Sequence, residues 1–277
     1  DSLDNAGNRL TLGADFNYTF GSIEQTRDAV YPEDEGFSNI RAFTALVLRS
    51  PNADAGLMWQ GDLTRKKLKD GDNWRYGIGL SAQFPTVFKA QYTNLVNSYV
   101  TSSGIEDFRD TIESNEGLHG RVEVPISLGF GLSVQNARWT FTAEAHTRDW
   151  SATQVDVPGY SLPASLAPGA VYAAGARFRP ATDGGLLRRM TYRGGLRHVS
   201  GPLEVRGHEL DADAVTLGVS VPLNAVQTNS WLHIGGEFGQ RGSTDDGLLR
   251  ERYATLWIGL AFTPWRGERW FTPPKIQ

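Results

Sequence analysis

Residues 74–84 read WRYGIGLSAQF, and this stretch decides the fold class. Every second residue from Trp74 to Phe84 is apolar, whereas Arg75 and Gln83 alternate with small residues on the other side. A period of two indicates a β-strand with two unlike faces. In a soluble sandwich the apolar face would point inward. In an outer-membrane barrel it would contact lipid, and the polar face would line the lumen.

The same alternation recurs along the chain in segments of about ten residues, a length typical of strands that cross a bilayer at a tilt. About twelve segments are predicted as strands, at residues 9–20, 39–49, 55–65, 74–84, 86–96, 118–134, 138–148, 170–179, 190–199, 213–221, 230–240 and 250–262. Pro125 predicts a bend or bulge in its segment, because proline cannot donate a ladder hydrogen bond.

The connections between these segments alternate in length. Short links are predicted at 50–53, 85, 135–137 and 222–229, and long polar loops at 21–38, 97–117, 149–169 and 241–249, with 180–188 longer than its short neighbours. Short turns at one end and long loops at the other are typical of bacterial outer-membrane barrels. An even strand count would then place both termini in the periplasm.

The sequence therefore predicts an all-β fold, a single antiparallel transmembrane β-barrel domain over residues 1–277 in the bacterial outer membrane. About 12 strands are expected, or 14 if the chain is part of a longer one. Aromatic residues near predicted strand ends favour membrane interfaces over the packed core of a soluble protein; they are Tyr18, Phe20, Trp74, Phe84, Trp139, Trp150, Tyr192, Phe238, Tyr253 and Phe262.

Composition excludes several other classes of protein. No segment approaches the roughly 18 consecutive apolar residues of a membrane helix, which excludes a helical membrane protein but not a barrel. The absence of cysteine excludes disulfides, a thiol nucleophile and Cys-based metal sites. A net charge of −4 offers no basic footprint, so nucleic acid is not an expected partner. Neither a zinc motif nor a phosphate-binding glycine loop is present, so no metal or cofactor is expected.

Twelve residues on the predicted polar face are candidates for lining the lumen or binding a ligand. They are Asp15, Arg75, Glu144, His146, Arg177, Arg193, Arg197, Trp231, His233, Glu237, Glu251 and Trp257. Ionisable groups inside a narrow barrel are costly unless they are paired. Two interpretations stay open: a salt-bridge network that fills the lumen, or a route for solute. The two tryptophans would either plug the lumen or bind an apolar ligand.

Residues 198–200 read His-Val-Ser, and an outer-membrane phospholipase A uses a His-x-Ser pair on a barrel strand. His198 would act as general base and Ser200 as nucleophile. The sequence offers no orienting Asn and no oxyanion element near the pair. No catalytic residue is therefore predicted, the chain is not expected to be an enzyme, and a phospholipase is kept as a remote alternative.

The C-terminal third carries a more specific series of strand motifs. Their residues are Tyr192, Arg193, Gly195, Gly218, Pro222, Leu223, Glu237, Gly239, Arg241, Gly242, Glu251, Tyr253, Trp270, Phe271 and Lys275. This series resembles FadL-like outer-membrane proteins of the Bacteroidota type. The resemblance implies a barrel related to importers of fatty acids and hydrocarbons. The chain departs from that family in having fewer strands and no N-terminal hatch with an Asn-Pro-Ala segment.

The resulting prediction is passive uptake or binding of small hydrophobic molecules without a cofactor. The alternative, from a different class, is a non-transporting barrel subunit that scaffolds an outer-membrane protein complex. Expected partners are outer-membrane lipid, a hydrophobic small molecule, and other outer-membrane proteins.

Overall fold

The chain forms an antiparallel meander in which neighbouring strands follow one another in sequence. The computed structural model describes residues 2–5, 8–32, 36–64, 73–102, 104–162, 164–181, 183–223 and 230–261. Its strands are β1 (Ser2–Asn5), β2 (Asn8–Ala29), β3 (Asn39–Asp62), β4 (Arg75–Gln83), β5 (Thr86–Ser102), β6 (Ile105–Val124), β7 (Ser127–Gln135), β8 (Trp139–Asp149), β9 (Gln154–Asp156), β10 (Ser165–Leu166), β11 (Pro168–Phe178), β12 (Thr191–Ser200), β13 (Leu203–Val205), β14 (His208–Glu209), β15 (Ala212–Leu223), β16 (Ser230–Arg241) and β17 (Glu251–Ala261). The prediction of an all-β antiparallel fold is confirmed.

Helix is nearly absent from these ranges. It comprises α1 (Leu186–Arg189) and single 3-10 turns at Trp150–Ala152 and Asp245–Gly247. None of these helices is long and apolar enough to cross a membrane. The strands β10, β13 and β14 form a small separate sheet within the long connections. Of the residues singled out in the sequence, Phe262, Trp270, Phe271 and Lys275 lie outside the described ranges.

Two strand paths continue past a proline. β4 and β5 lie end to end along β3, and β7 and β6 pair with them in the same way, with register shifts in the β5–β6 ladder beyond Tyr92. The breaks coincide at Pro85 and Pro125, because proline lacks the N–H group that a ladder needs. Pro125, where a bend or bulge was predicted, lies in the two-residue break between β6 and β7. If strands that continue one another across a break are counted as one path, the meander has ten paths: β2, β3, β4–β5, β6–β7, β8–β9, β11, β12, β15, β16 and β17.

The count of paths is two lower than predicted, because β3 runs straight through the expected turn at residues 50–53 and β5 continues β4 along β3, with no turn at residue 85. It stays paired with β2 from Ile40 to Gly61 without a gap, so the segments predicted at 39–49 and 55–65 are one strand. Pro51 indicated a turn, since it cannot donate to a ladder. In the sheet Pro51 lies beside the junction of β4 and β5, where the ladder on that side is interrupted.

Two predicted loops are also strands. β2 continues to Ala29, and β5 and β6 form a hairpin that reaches Ser102 and Ile105. These segments carry polar side chains on the outward face, so their sequences resemble loops, yet the backbone ladder still forms. Residues 21–29, 39–49, 86–102 and 105–124 therefore project beyond the neighbouring strands; we call this part the extension.

One face of the sheet carries a continuous apolar band. One row of the band crosses all ten paths through Leu10, Trp59, Ile78, Leu132, Ala143, Ala174, Leu196, Val215, Phe238 and Ala254. Leu196 is 63% exposed and Phe238 58% exposed. An apolar surface of this extent indicates contact with lipid or protein. In an outer-membrane barrel the outward apolar face meets lipid.

The sheet has two edges within the described ranges. β17 pairs only with β16, and β2 beyond Thr11 pairs only with β3. Both edge strands are exposed on most of their length. A barrel requires these two edges to approach each other, and the described part of the chain forms an open, barrel-like sheet.

The extension has a hydrophobic core of its own. Leu46, Ala90, Tyr92 and Val122 are buried, and Val157 in the connection after β9 covers them. Leu46 pairs directly with Tyr92, so the core lies on one face of the extension. The extension is thereby stabilised independently of the apolar band.

An ion-pair cluster closes the tip of the extension. Arg41 contacts Asp28 at 2.9 Å and Glu106 at 2.8 Å, which joins three strands far from the apolar band. The hydrogen bond from Arg41 holds the pKa of each carboxyl group below its usual value. A lowered folded-state pKa means that the stabilisation is complete at neutral pH and is lost as the pH falls through that pKa.

Acidification should therefore loosen the tip of the extension. We expect faster amide exchange at residues 24–29 and 39–43, after correction for the intrinsic rate, as the pH falls from about 7 to below about 4. Arg41→Gln should show the fast exchange already at neutral pH and little further change on acidification. An unchanged pH profile in that variant would contradict a role for the cluster.

Candidate functional site

The polar face of β8, β11, β12, β15, β16 and β17 encloses a hollow of about 590 Å³. Seven of the twelve predicted site residues line it: Glu144, Arg177, Arg193, Arg197, His233, Glu237 and Trp257. Small residues between them on β11, β12 and β15 leave the space open, including Ala173, Gly175, Gly195 and Gly218. The alternation that predicted a polar face thus brings most of the candidates together.

A three-residue network ties together two residues that line the hollow, Arg197 and Glu237, and Tyr253. Arg197 donates to Glu237 Oε1 at 2.6 Å, and the Tyr253 hydroxyl donates to the same oxygen at 2.9 Å. Arg197 reaches over β15 to a strand about 10 Å away. Ala214 lies opposite Arg197 on β15 and presents only a methyl group. The Glu237 side chain is 19% exposed, so its charge is held largely by these two donors.

Two further contacts tie the wall of the hollow together. The Arg177 guanidinium donates to the Thr140 hydroxyl at 2.8 Å. Ser220 Oγ lies 2.7 Å from His233 Nδ1, and Ser220 is buried. Within the described ranges no hydrogen bond or ion pair involves the side chain of Glu144 or Arg193. The hollow therefore combines paired groups with two charges that face open space.

Aromatic rings on β17 pack over glycines on β16. Trp257 pairs with Gly235, and Tyr253 pairs with Gly239. A Cβ atom added at Gly235 would lie 2.5 Å from the Trp257 ring, and one at Gly239 would overlap the Tyr253 ring. Glycine is required at both positions because the rings occupy the space of a side chain. This packing orients Trp257 at the wall of the hollow.

Gly235→Ala should displace the Trp257 ring and lower the free energy of unfolding by about 1–3 kcal/mol, the usual cost of overpacking. The measurement is urea unfolding in detergent micelles, followed by far-UV circular dichroism. Gly131→Ala is the matched control, because a Cβ atom there meets nothing within 4 Å. Equal stability of the two variants would show that the Trp257 ring is free to move.

The other five predicted site residues lie elsewhere. Asp15 lies on β2 opposite Asp54, and Arg75 contacts Asp62 at 3.5 Å. His146 lies at the long-connection end of β8, near Trp150. Trp231 stacks under the Arg179 guanidinium, 5.4 Å from the ring centre. Glu251 accepts a hydrogen bond from Arg241 at 2.8 Å. The part that the twelve residues play in ligand binding stays a prediction.

The structure supplies an orienting group for His198 that the sequence did not indicate. Asp213 Oδ1 lies 2.8 Å from His198 Nδ1, and the two residues are cross-strand partners on β12 and β15. Ser200, however, donates to Glu209 at 3.1 Å. Within the described ranges no hydrogen bond joins Ser200 to His198, so a nucleophile–base pair is not formed. The prediction that no residue is catalytic is unchanged.

No set of three His, Asp or Glu side chains within the described ranges is placed to hold a metal ion. The hollow instead offers guanidinium, carboxylate and indole groups on a rigid sheet. These groups suit the binding of polar surfaces or the filling of a barrel interior.

Comparison with known protein families decides between the interpretations. Residues 5–277 match the BamG family, which is essentially the whole chain. The chain belongs to the BamG family. BamG is a component of the BAM complex, so the family associates the chain with the outer membrane and with outer-membrane protein partners, as predicted. A search of curated proteins returned no match.

The predicted resemblance to FadL-like proteins is wrong, because the family that matches is BamG and no FadL family does. Without the FadL resemblance, nothing supports the predicted transport or the predicted hydrophobic small-molecule partner. The structure shows why the motifs misled. Glu237, Gly239 and Tyr253 fulfil packing and pairing needs of adjacent strands, and such needs arise in barrels of many functions.

Proposed function

We propose that the chain is a non-transporting, barrel-forming subunit of an outer-membrane protein complex, the BAM complex. The observation that carries the proposal is the match to the BamG family over residues 5–277. The bonded network of Arg197, Glu237 and Tyr253 supports it, because paired charges in the hollow suit a rigid interior better than a path for apolar solute.

The proposal includes an orientation. The turn between β7 and β8 has only three residues, 136–138, whereas the extension and the long connection between β8 and β11, residues 150–167, lie at the opposite end. The first long strand, β2, begins and the last strand, β17, ends on the side of that short turn. By the usual asymmetry of outer-membrane barrels, this end faces the periplasm and the extension projects outward. Both termini then lie in the periplasm.

The test is purification of the BAM complex from detergent-solubilised outer membranes through a tag on another of its subunits. We expect this chain to copurify in a fixed ratio that resists washing with high salt. Deletion of the chain should leave the uptake of labelled long-chain fatty acid by whole cells unchanged. Absence from the complex, together with lost uptake, would restore the transport interpretation.

A further inference from the structure

Three cations form a cross-strand row on the extension. Arg49 pairs with Lys89, and Lys89 pairs with Arg121, so three neighbouring strands about 4.8 Å apart each carry a positive charge. All three side chains are exposed. Directly paired residues project from the same face of a sheet, so the three charges form a single row.

The row lies on the face of the apolar band and immediately beyond it. Phe20 is the partner of Arg49 on β2 and shares its face with Leu10 and Tyr18. Tyr18 and Phe20 follow Leu10 by about 26 and 33 Å along the strand. At the usual tilt of about 40° these lengths span about 20 and 25 Å of height, close to the roughly 25 Å of an outer-membrane apolar band. Tyr18 is 60% exposed and Phe20 75% exposed. Exposed aromatic rings at this height mark the level of lipid headgroups.

The chain itself does little to balance these charges. Arg121 has one contact with Asp156, at 3.6 Å, and both side chains are mostly exposed. No hydrogen bond or ion pair joins the side chain of Arg49 or Lys89 to another residue of the described ranges. The nearest other carboxylate is that of Glu123, which lies two residues after Arg121 on β6, one cross-strand row closer to the apolar band. Like charges on directly paired residues destabilise a sheet, so the row indicates an external anion.

We propose that the row of Arg49, Lys89 and Arg121 binds the phosphate groups of a phosphorylated glycolipid. Guanidinium and ammonium groups bind phosphate through short, charge-assisted hydrogen bonds. The apolar band next to the row accepts the acyl chains of the same molecule. An acidic protein surface would match the charge alone, whereas an amphipathic lipid matches the charged row and the adjoining apolar face in the order in which they occur. The orientation proposed above places this lipid in the outer leaflet.

The test measures binding of purified lipopolysaccharide to the full chain in detergent by native mass spectrometry. Replacing Arg49, Lys89 and Arg121 together by Gln should weaken binding at least tenfold. The matched control replaces Arg109, Arg138 and Arg188 by Gln, which removes the same charge from exposed positions away from the row. We expect the control to bind as the unmodified chain does.

Enzymatically dephosphorylated lipopolysaccharide separates phosphate recognition from contact with the acyl chains. The unmodified chain should bind it about as weakly as the triple Gln variant binds the intact lipid. Equal binding of both lipids, or intact binding by the triple variant, would overturn the proposal. If the triple Gln variant bound the intact lipid as before but no longer copurified with the complex, the row would be assigned to a protein partner instead. Because lipid binding is measured on the isolated chain, its failure leaves the complex-subunit proposal standing.

Discussion

Ala143→Arg should lower the free energy of unfolding by about 2–4 kcal/mol, the cost of an arginine at the lipid-facing centre of a barrel wall. Ala143 lies near the middle of β8 on the apolar face, between Leu132 on β7 and Ala174 on β11. A guanidinium at this position has no hydrogen-bond partner in the hydrocarbon region, which is the physical source of the penalty. The measurement is reversible urea unfolding in phospholipid vesicles.

Thr142→Arg provides the matched control for this experiment. Thr142 is the neighbour of Ala143 on the same strand, but its side chain faces the hollow, two residues from Glu144. An arginine there contacts polar groups and gains an ion-pair partner, so we expect a change within about 0.5 kcal/mol. Equal penalties for the two variants would contradict the assignment of one face to lipid. A penalty larger for Thr142→Arg would reverse it.

The alternation in the sequence predicted the parts of the fold where the two faces meet different surroundings. The stretch 75–83 forms β4 as expected, with Ile78 in the apolar row. The predictions were wrong where that contrast disappears. β2 beyond Phe20 and residues 97–117 of the β5–β6 hairpin lie past the apolar band, so the polar side chains of their outward face gave no membrane signal and these segments were predicted as loops.

Proline was informative in one case and misleading in another. Pro125 coincides with a break in the ladder, as predicted, whereas Pro51 lies within β3. The difference depends on whether a neighbouring strand requires the missing N–H group at that point. Whether the N–H group is needed at Pro51 depends on the neighbouring strand, because the junction of β4 and β5 at Pro85 leaves no partner there. The sequence around Pro51 alone therefore cannot predict it.

The candidate site could be predicted as a face but not as a set of contacts. The alternation of side chains along the strands predicted that Glu144, Arg177 and Glu237 lie on one side of the sheet, and they do line one hollow. The contact between His198 and Asp213 joins strands whose relative register the sequence does not specify. The family was predicted wrongly for a related reason. Strand motifs reflect the local packing of neighbouring strands, whereas a match over the whole chain reflects common descent.

Glu237→Gln should lower the free energy of unfolding by about 1.5–3 kcal/mol, the range for a hydrogen bond to a charged group. Glu237 accepts from both Arg197 and Tyr253 through one oxygen, and its side chain is 19% exposed. The amide keeps the shape of the side chain but removes its charge, which leaves the Arg197 guanidinium without a counter-ion. Urea unfolding in vesicles measures the loss.

A double-mutant cycle attributes this loss to the pair. We expect Arg197→Gln and Glu237→Gln to couple by about 0.5–3 kcal/mol, because each variant removes the same contact. Glu144→Gln is the matched control: Glu144 lines the same hollow, has no side-chain partner within the described ranges, and should change stability by less than about 0.5 kcal/mol. Additive effects of the Arg197 and Glu237 variants would show that the contact contributes nothing. The paired charges would then not rigidify the interior, and an open lumen would become the better account of the hollow.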